Sequence, residues 1–227
     1  MRALVLGAIL LALAGEAVAA PPEEAIISLD RYTSPRGKSL AITFGSQLRQ
    51  IYDRVYHCRP WLEVQKGGLG FTHPVGVPGD DRFLNIWVWV DQQMTPEFGA
   101  LSPARRASAM FSRHGVDLLR HLAADAGLFA DPTLHGYSVI LTWIKPSAGG
   151  GGEAQKSETL GVFADKAAVR GFLARRIGAR EFVGRATIVA FDGKERLGRL
   201  PLEIWDDDFA TTFKLKDYQP ENKNLRC

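Results

Sequence analysis

The chain has 227 residues, 46% of them hydrophobic, with 28 Lys and Arg against 25 Asp and Glu and a formal charge of +3. That length and apolar content suffice for a large buried core in one domain. The near-balanced charge lacks the basic footprint of a nucleic-acid binder, so no nucleic-acid partner is implied.

The first residues read as an export signal. Arg2 gives a positive start, Ala3 to Ala14 is an unbroken apolar run, and Ala17-Val18-Ala19 is a small-x-small cleavage site, the pattern of a secretory signal peptide. Cleavage after Ala19 leaves a mature chain from Ala20. The run is shorter than the roughly 20 residues that span a bilayer, and no later stretch is long and uncharged enough, so no transmembrane segment is expected in the mature chain.

Ser34-Pro35 opens a helix, with serine as cap and proline at the first helical position. Leu40, Phe44, Leu48, Ile51 and Val55 then recur at helical spacing until Arg59-Pro60. Cys58 falls on the apolar line and His57 on the polar side. Trp61 to Thr72 reads as a strand weakened at Gly67-Gly68. After a turn-rich stretch it pairs in a long-looped hairpin with Leu84 to Val90. That second strand is apolar at nearly every position, which predicts a central strand covered on both faces.

Ser102-Pro103 opens a second long helix that Gly127 ends, with Ala104, Phe111, Leu118, Leu122 and Ala126 on one side. Tyr137 to Ile144 alternates as a strand. Pro146 to Gly152 is a flexible, Gly-rich connector by composition. Thr159 to Phe163 is a short strand, and Asp165 caps a shorter helix with Val169, Phe172, Leu173 and Ile177 inward. Ala186 to Phe191 and Lys194 to Trp205 form a hairpin closed by Asp192-Gly193, a pair suited to a type I′ turn, and Pro201 places its second strand at a sheet edge. The sum is an α+β fold: a mostly antiparallel sheet of about six strands with two long helices and one shorter helix packed on it.

Export changes how the two cysteines are read. In an oxidising compartment Cys58 and Cys227 are expected to form a disulfide, and closing so long a loop stabilises by roughly 5 kcal/mol on the chain-entropy model.

Searches for phosphate loops, dinucleotide fingerprints, nucleophile elbows, zinc-protease helices and Cys-x-x-Cys pairs find none in the sequence, and no cofactor is called for. His114 and His121 are about 10.5 Å apart along a helix axis, too far to share one ion. Asp206-Asp207-Asp208 reads as a solvated corner rather than a calcium loop, which staggers its ligands; no metal site is expected. His57, His73, Asp91 and His135 are the residues that can serve as acid or base. For binding, Trp87, Trp89 and Trp143 can line a pocket between sheet and helix, Gln92 and Gln93 follow the central strand, and Arg106, Arg113 and Arg120, spaced by seven, form either a solvated helix face or a dock for an anionic partner.

The function these features predict is an exported, periplasmic, non-enzymatic binding, scaffolding or assembly protein of the cell envelope, with an envelope protein as partner. The alternatives are an exported hydrolase whose site is assembled from distant polar residues, and a small-molecule carrier with an aromatic-lined pocket.

Overall fold

A computed structural model describes residues 22–74, 79–91, 95–145 and 156–205. The residues read as an export signal, the Gly-rich connector, Gln92, Gln93, Asp206 to Asp208 and Cys227 lie outside them.

The first predicted helix forms as two segments. Ser34 caps the first by accepting from the Gly37 amide at 3.1 Å, with Pro35 at the first position. α1 (Pro35–Thr43) ends at Phe44, whose ψ of 20° departs from helix, and α2 (Gly45–Cys58) continues from there. Leu40, Phe44, Leu48, Ile51, Val55 and Cys58 are all buried. β1 (Leu62–Thr72) pairs antiparallel with β2 (Phe83–Val90), and the ladder breaks between Val64 and Leu69. The break falls at the predicted weak point, where Gly67 has φ 62°. The outer edge of β1 is taken by the N-terminal segment: the Ile27 amide bonds Leu69 O at 2.8 Å and the Phe71 amide bonds the Tyr32 hydroxyl at 3.0 Å. A sheet edge is thereby blunted.

Between β2 and β3 (Gly136–Ile144) the chain crosses over through helices, because these two strands are parallel. The crossover comprises α3 (Pro96–Gly99), α4 (Pro103–Met110), a π-turn at Phe111–Gly115, α5 (Val116–Leu122) and α6 (Ala126–Ala130). The predicted stop at Gly127 is a correction: the long helix ends at Leu122, and Gly127 sits inside α6, which Asp125 caps through the Leu128 amide at 2.8 Å. β4 (Ser157–Asp165) returns antiparallel to β3. Asp165 caps α7 (Lys166–Leu173) as expected, through the Ala168 amide at 2.7 Å. α8 (Ala179–Arg185) has no counterpart in the sequence reading.

β5 (Thr187–Asp192) and β6 (Glu195–Gly198) form the last hairpin. Asp192 pairs with Glu195, so the central turn residues are Gly193 and Lys194. Gly193 has φ 58° and Lys194 does not have positive φ, which excludes the type I′ turn, since that needs both positive. The predicted second strand also ends early. After Gly198, at φ 74°, the chain leaves the sheet and runs along α4 and the π-turn, where the Glu203 amide bonds Ser108 Oγ at 2.9 Å and the Trp205 amide bonds Ser112 Oγ at 2.8 Å.

The sheet order is β1-β2-β3-β4-β5-β6, antiparallel at every step except β2–β3. The α+β expectation of a mostly antiparallel sheet holds, and strands on both sides of the connector share it. The buried core contains one face only of each paired strand, for example Phe71, Leu84, Tyr137 and Ala164, or Val64, Val88, Leu141, Leu160 and Ala190. The helices of the described residues contribute Leu48, Phe98, Phe111, Leu118, Leu128, Val169 and Phe182 to that same cluster. They therefore cover that face, and the two-sided cover predicted for β2 is corrected: Ile86 and Val88 are fully buried while Trp87 between them is 39% exposed.

Candidate functional site

The face away from the helices is built from alternate residues of the paired strands. Its rows are Asn85, Ser138, Phe163 and Thr187, then Trp87, Ile140, Gly161 and Val189, then Trp89, Thr142, Thr159 and Phe191. A solvated sheet face ordinarily alternates to charged and polar side chains. Here no outward position of β2 to β5 in these rows is charged. Charge enters at the rim, with Glu63 opposite Trp89 and Arg196 opposite Phe191. Gly161 keeps the centre low: a Cβ there would come within 3.0 Å of Val189 and 3.3 Å of Phe163, so the flanking side chains close over it.

The polar atoms on this face bond to one another. Trp87 Nε1 donates to Thr142 Oγ1 at 2.9 Å, and Thr142 and Thr159 share a hydrogen bond of 3.0 Å. Ser138 Oγ donates to Asn85 Oδ1 at 2.9 Å, while Asn85 Nδ2 donates to Gly68 O at 2.9 Å. With its hydrogen bonds met internally, the face can be buried without leaving those groups unpaired. A neutral aromatic centre inside a charged rim matches the anatomy of protein–protein interfaces, whose energetic anchors are enriched in Trp.

The three tryptophans do not line one pocket between sheet and helix. Trp87 and Trp89 are on the open face; Trp143 is on the core face, 2% exposed. Its Nε1 donates to Glu158 Oε2 at 2.9 Å, beside a buried ion pair in which Arg106 Nε reaches the same oxygen at 2.7 Å. Arg106 also donates to the carbonyls of Gly99 and Leu101. Arg106 is thus neither on a solvated helix face nor available to an outside anion, which corrects the expectation for that position. The π-turn inserted at Phe111–Gly115 shifts the phase of the helix, so Arg106 is buried, Arg113 half-buried and Arg120 exposed. Asp117, on the same helix, is held by Arg59 at 2.7 Å.

The acid–base candidates fall at opposite ends of the sheet. His73 follows β1 and His135 precedes β3, on either side of the start of β2; His57 and Asp91 lie at the other end, where Leu62 pairs with Val90. Each has its own surroundings. His57 sits 3.2 Å from Asp53, the Asp91 amide bonds Trp61 O, and the exposed His135 packs its ring 5.1 Å from Phe83. His73 Nδ1 is 2.7 Å from the buried Asp81 carboxylate, a pair that sequence inspection misses because only the register of the hairpin brings its flanks together. His114 and His121 are not alike either: His121 is 2.9 Å from Arg59, and burial, aided by the Arg113 charge, lowers His114 to a pKa of about 3.

Among the described residues no cluster of three or more His, Cys, Asp or Glu side chains can hold a metal ion, and no helix is long and apolar enough to cross a membrane. What the fold and face define is a two-layer α+β protein with helices on one side of its sheet and an uncharged aromatic surface on the other. Comparison with protein-family models, with curated proteins and with solved structures gives no match.

Proposed function

We propose that this chain is an exported, periplasmic, non-enzymatic binding or assembly component of the cell envelope, and that it holds a protein partner on the helix-free face of its sheet. The observation that supports this most is the absence of any outward charge across the Trp87, Trp89 and Asn85 rows of four adjacent strands, inside a charged rim. The partner surface that complements it is neutral and apolar. Removal of residues 1–19 and a Cys58–Cys227 bridge belong to the same reading; Cys58 is buried at the end of α2.

A photo-crosslinking residue at position 140, irradiated in native envelope fractions, should trap one discrete protein. The same residue at Ile42, 63% exposed on the helix side, should not. Equal capture at both positions, or capture unchanged by Trp87→Ala, defeats the proposal. Mass measurement of the exported chain, alkylated with and without reductant, tests the leader and the bridge together.

A hydrolase is the second reading, supported by one contact: His73 Nδ1 lies 2.7 Å from Asp81 Oδ1, the kind of carboxylate contact that orients a histidine general base. Turnover of an ester, peptide or glycoside substrate that His73→Asn abolishes would establish it; turnover that survives the substitution removes His73 from the chemistry.

A further inference from the structure

On the helix side, opposite the face discussed above, a cleft of about 650 Å³ opens between α5, the α7–α8 turn and Ile204-Trp205. Its volume is in the range of small-molecule sites. Three arginines are among its lining residues, Arg120, Arg175 and Arg176. None forms an ion pair among the described residues, and Asp117, the carboxylate nearest Arg120 in sequence, is bonded to Arg59. Phe172, Ile177 and Trp205 are among the other lining residues.

Two departures from regular backbone border this cleft. α7 ends in a Schellman motif: the Arg176 amide bonds Gly171 O at 2.7 Å and the Arg175 amide bonds Phe172 O at 2.9 Å. Arg175 therefore occupies the left-handed position, at φ 56°, where glycine is the favoured residue. An arginine held there despite its Cβ is an outlier of the kind that concentrates at ligand sites. On the other wall, the π-turn supplies Ser112, which fixes Trp205 by accepting its amide, while Arg105 stacks on the indole at 5.3 Å. Such π-turns are frequent at functional sites.

We propose that this cleft binds an anionic amphiphile, a molecule carrying one phosphate, sulfate or carboxylate group on an apolar body. Arg120, Arg175 and Arg176 take the anion, and Phe172, Ile177 and Trp205 take the body. Arginine suits the role because its planar fork meets such oxyanions in pairs of hydrogen bonds.

The test is calorimetric titration of the full chain with dodecyl phosphate below its micelle concentration. Inorganic phosphate and dodecyl maltoside serve as controls for the anion alone and the tail alone. Dodecyl phosphate should bind at least tenfold more tightly than either control. Arg175→Gly should weaken it about tenfold with no fall in the unfolding midpoint, since glycine accepts the backbone conformation; Arg120→Gln should also weaken it. Equal affinity for dodecyl maltoside, or undiminished binding by both variants, overturns the proposal. Sedimentation with phosphatidylglycerol vesicles without uptake of the monomer would assign the arginines to a membrane surface instead. Asp206, Asp207 and Asp208 follow Trp205 in sequence, so a chain that binds the probe only when all three are changed to Asn satisfies its own cleft and takes no ligand there.

Discussion

Glu158→Ala tests the most consequential contact in the core. The carboxylate receives Arg106 through both of its oxygens and the Trp143 indole N–H, and both charged side chains are 4% exposed. Removing it leaves a guanidinium buried without its counter-charge, a change that costs about 3–5 kcal/mol in buried pairs. The orphaned indole N–H adds a penalty of about 1–3 kcal/mol by itself, less when the two are released together. A total near 4 kcal/mol follows, and with a urea dependence of about 2 kcal/mol per molar the unfolding midpoint should fall by about 2 M. Arg106→Met combined with Glu158→Leu removes both charges and keeps apolar volume. Its loss should be smaller than the sum of the two single losses by at least about 2 kcal/mol. Urea unfolding followed by tryptophan emission measures the parent chain, Glu158→Ala, Arg106→Met, Glu158→Leu and the double variant. A midpoint shift below about 0.5 M for Glu158→Ala, or a double variant equal to the sum of the singles, refutes the coupling of α4 to β4 through this pair.

Three further outcomes are expected. His114 is lowered from 6.5 to about 3, chiefly by burial, with the Arg113 and Arg59 charges adding to it and Asp117 opposing. The unfolded chain thus takes up a proton that the folded one refuses. The contribution is complete above pH 6.5 and is lost as pH falls toward 3, at about 1.4 kcal/mol per pH unit; His114→Gln should remove that slope from denaturation curves between pH 7 and 4, and identical slopes would contradict it. The Tyr137 hydroxyl is buried without a hydrogen-bond partner among the described residues, and burial raises its pKa; Tyr137→Phe should therefore be neutral or stabilise by about 1 kcal/mol in thermal unfolding, and a clear loss would reveal a partner for the hydroxyl. Gly67→Ala should destabilise by about 1 kcal/mol or more, because φ is 62° and an added Cβ would meet the Arg31 guanidinium; unchanged urea midpoints would mean the bulge relaxes freely.

Where the determinant is local, the sequence and the structure agree. Ser34, Ser102 and Asp165 announce helices because a cap acts within three residues, and each accepts the amide it should. The alternation of Tyr137 to Ile144 is similarly self-contained. Features that depend on distant packing were not legible. α8 buries one side chain, Phe182, and so carries no helical periodicity to read. The kink at Phe44 and the π-turn at Phe111–Gly115 leave the apolar spacing nearly intact while changing the direction of everything around it. The segment after Gly198 is instructive in another way. Its alternation is genuine, with Leu202 buried and the amides of Glu203 and Trp205 bonded, but the acceptors are serine hydroxyls on the crossover helix rather than a neighbouring strand. A period of two reports an extended chain with two unlike sides, and does not identify what pairs with it.

The same limit explains the open face. Apolar residues at nearly every position of β2, Asn85 excepted, signal that both sides of the strand are kept from water, and the inference of two covering layers goes one step further than that. Among the described residues, one side is sealed by helices and the other by its own neighbours. Those neighbours succeed where side chains are crowded, around Phe163 and Val189, and fail at Trp87. Exposed apolar surface is costly at about 25 cal/mol per Å², and a tryptophan is the most expensive residue to leave in this position. Its retention beside a threonine that already satisfies the indole N–H supports the protein-binding role proposed above: the polar demand of the indole is met within the fold, and the exposed area left over is apolar.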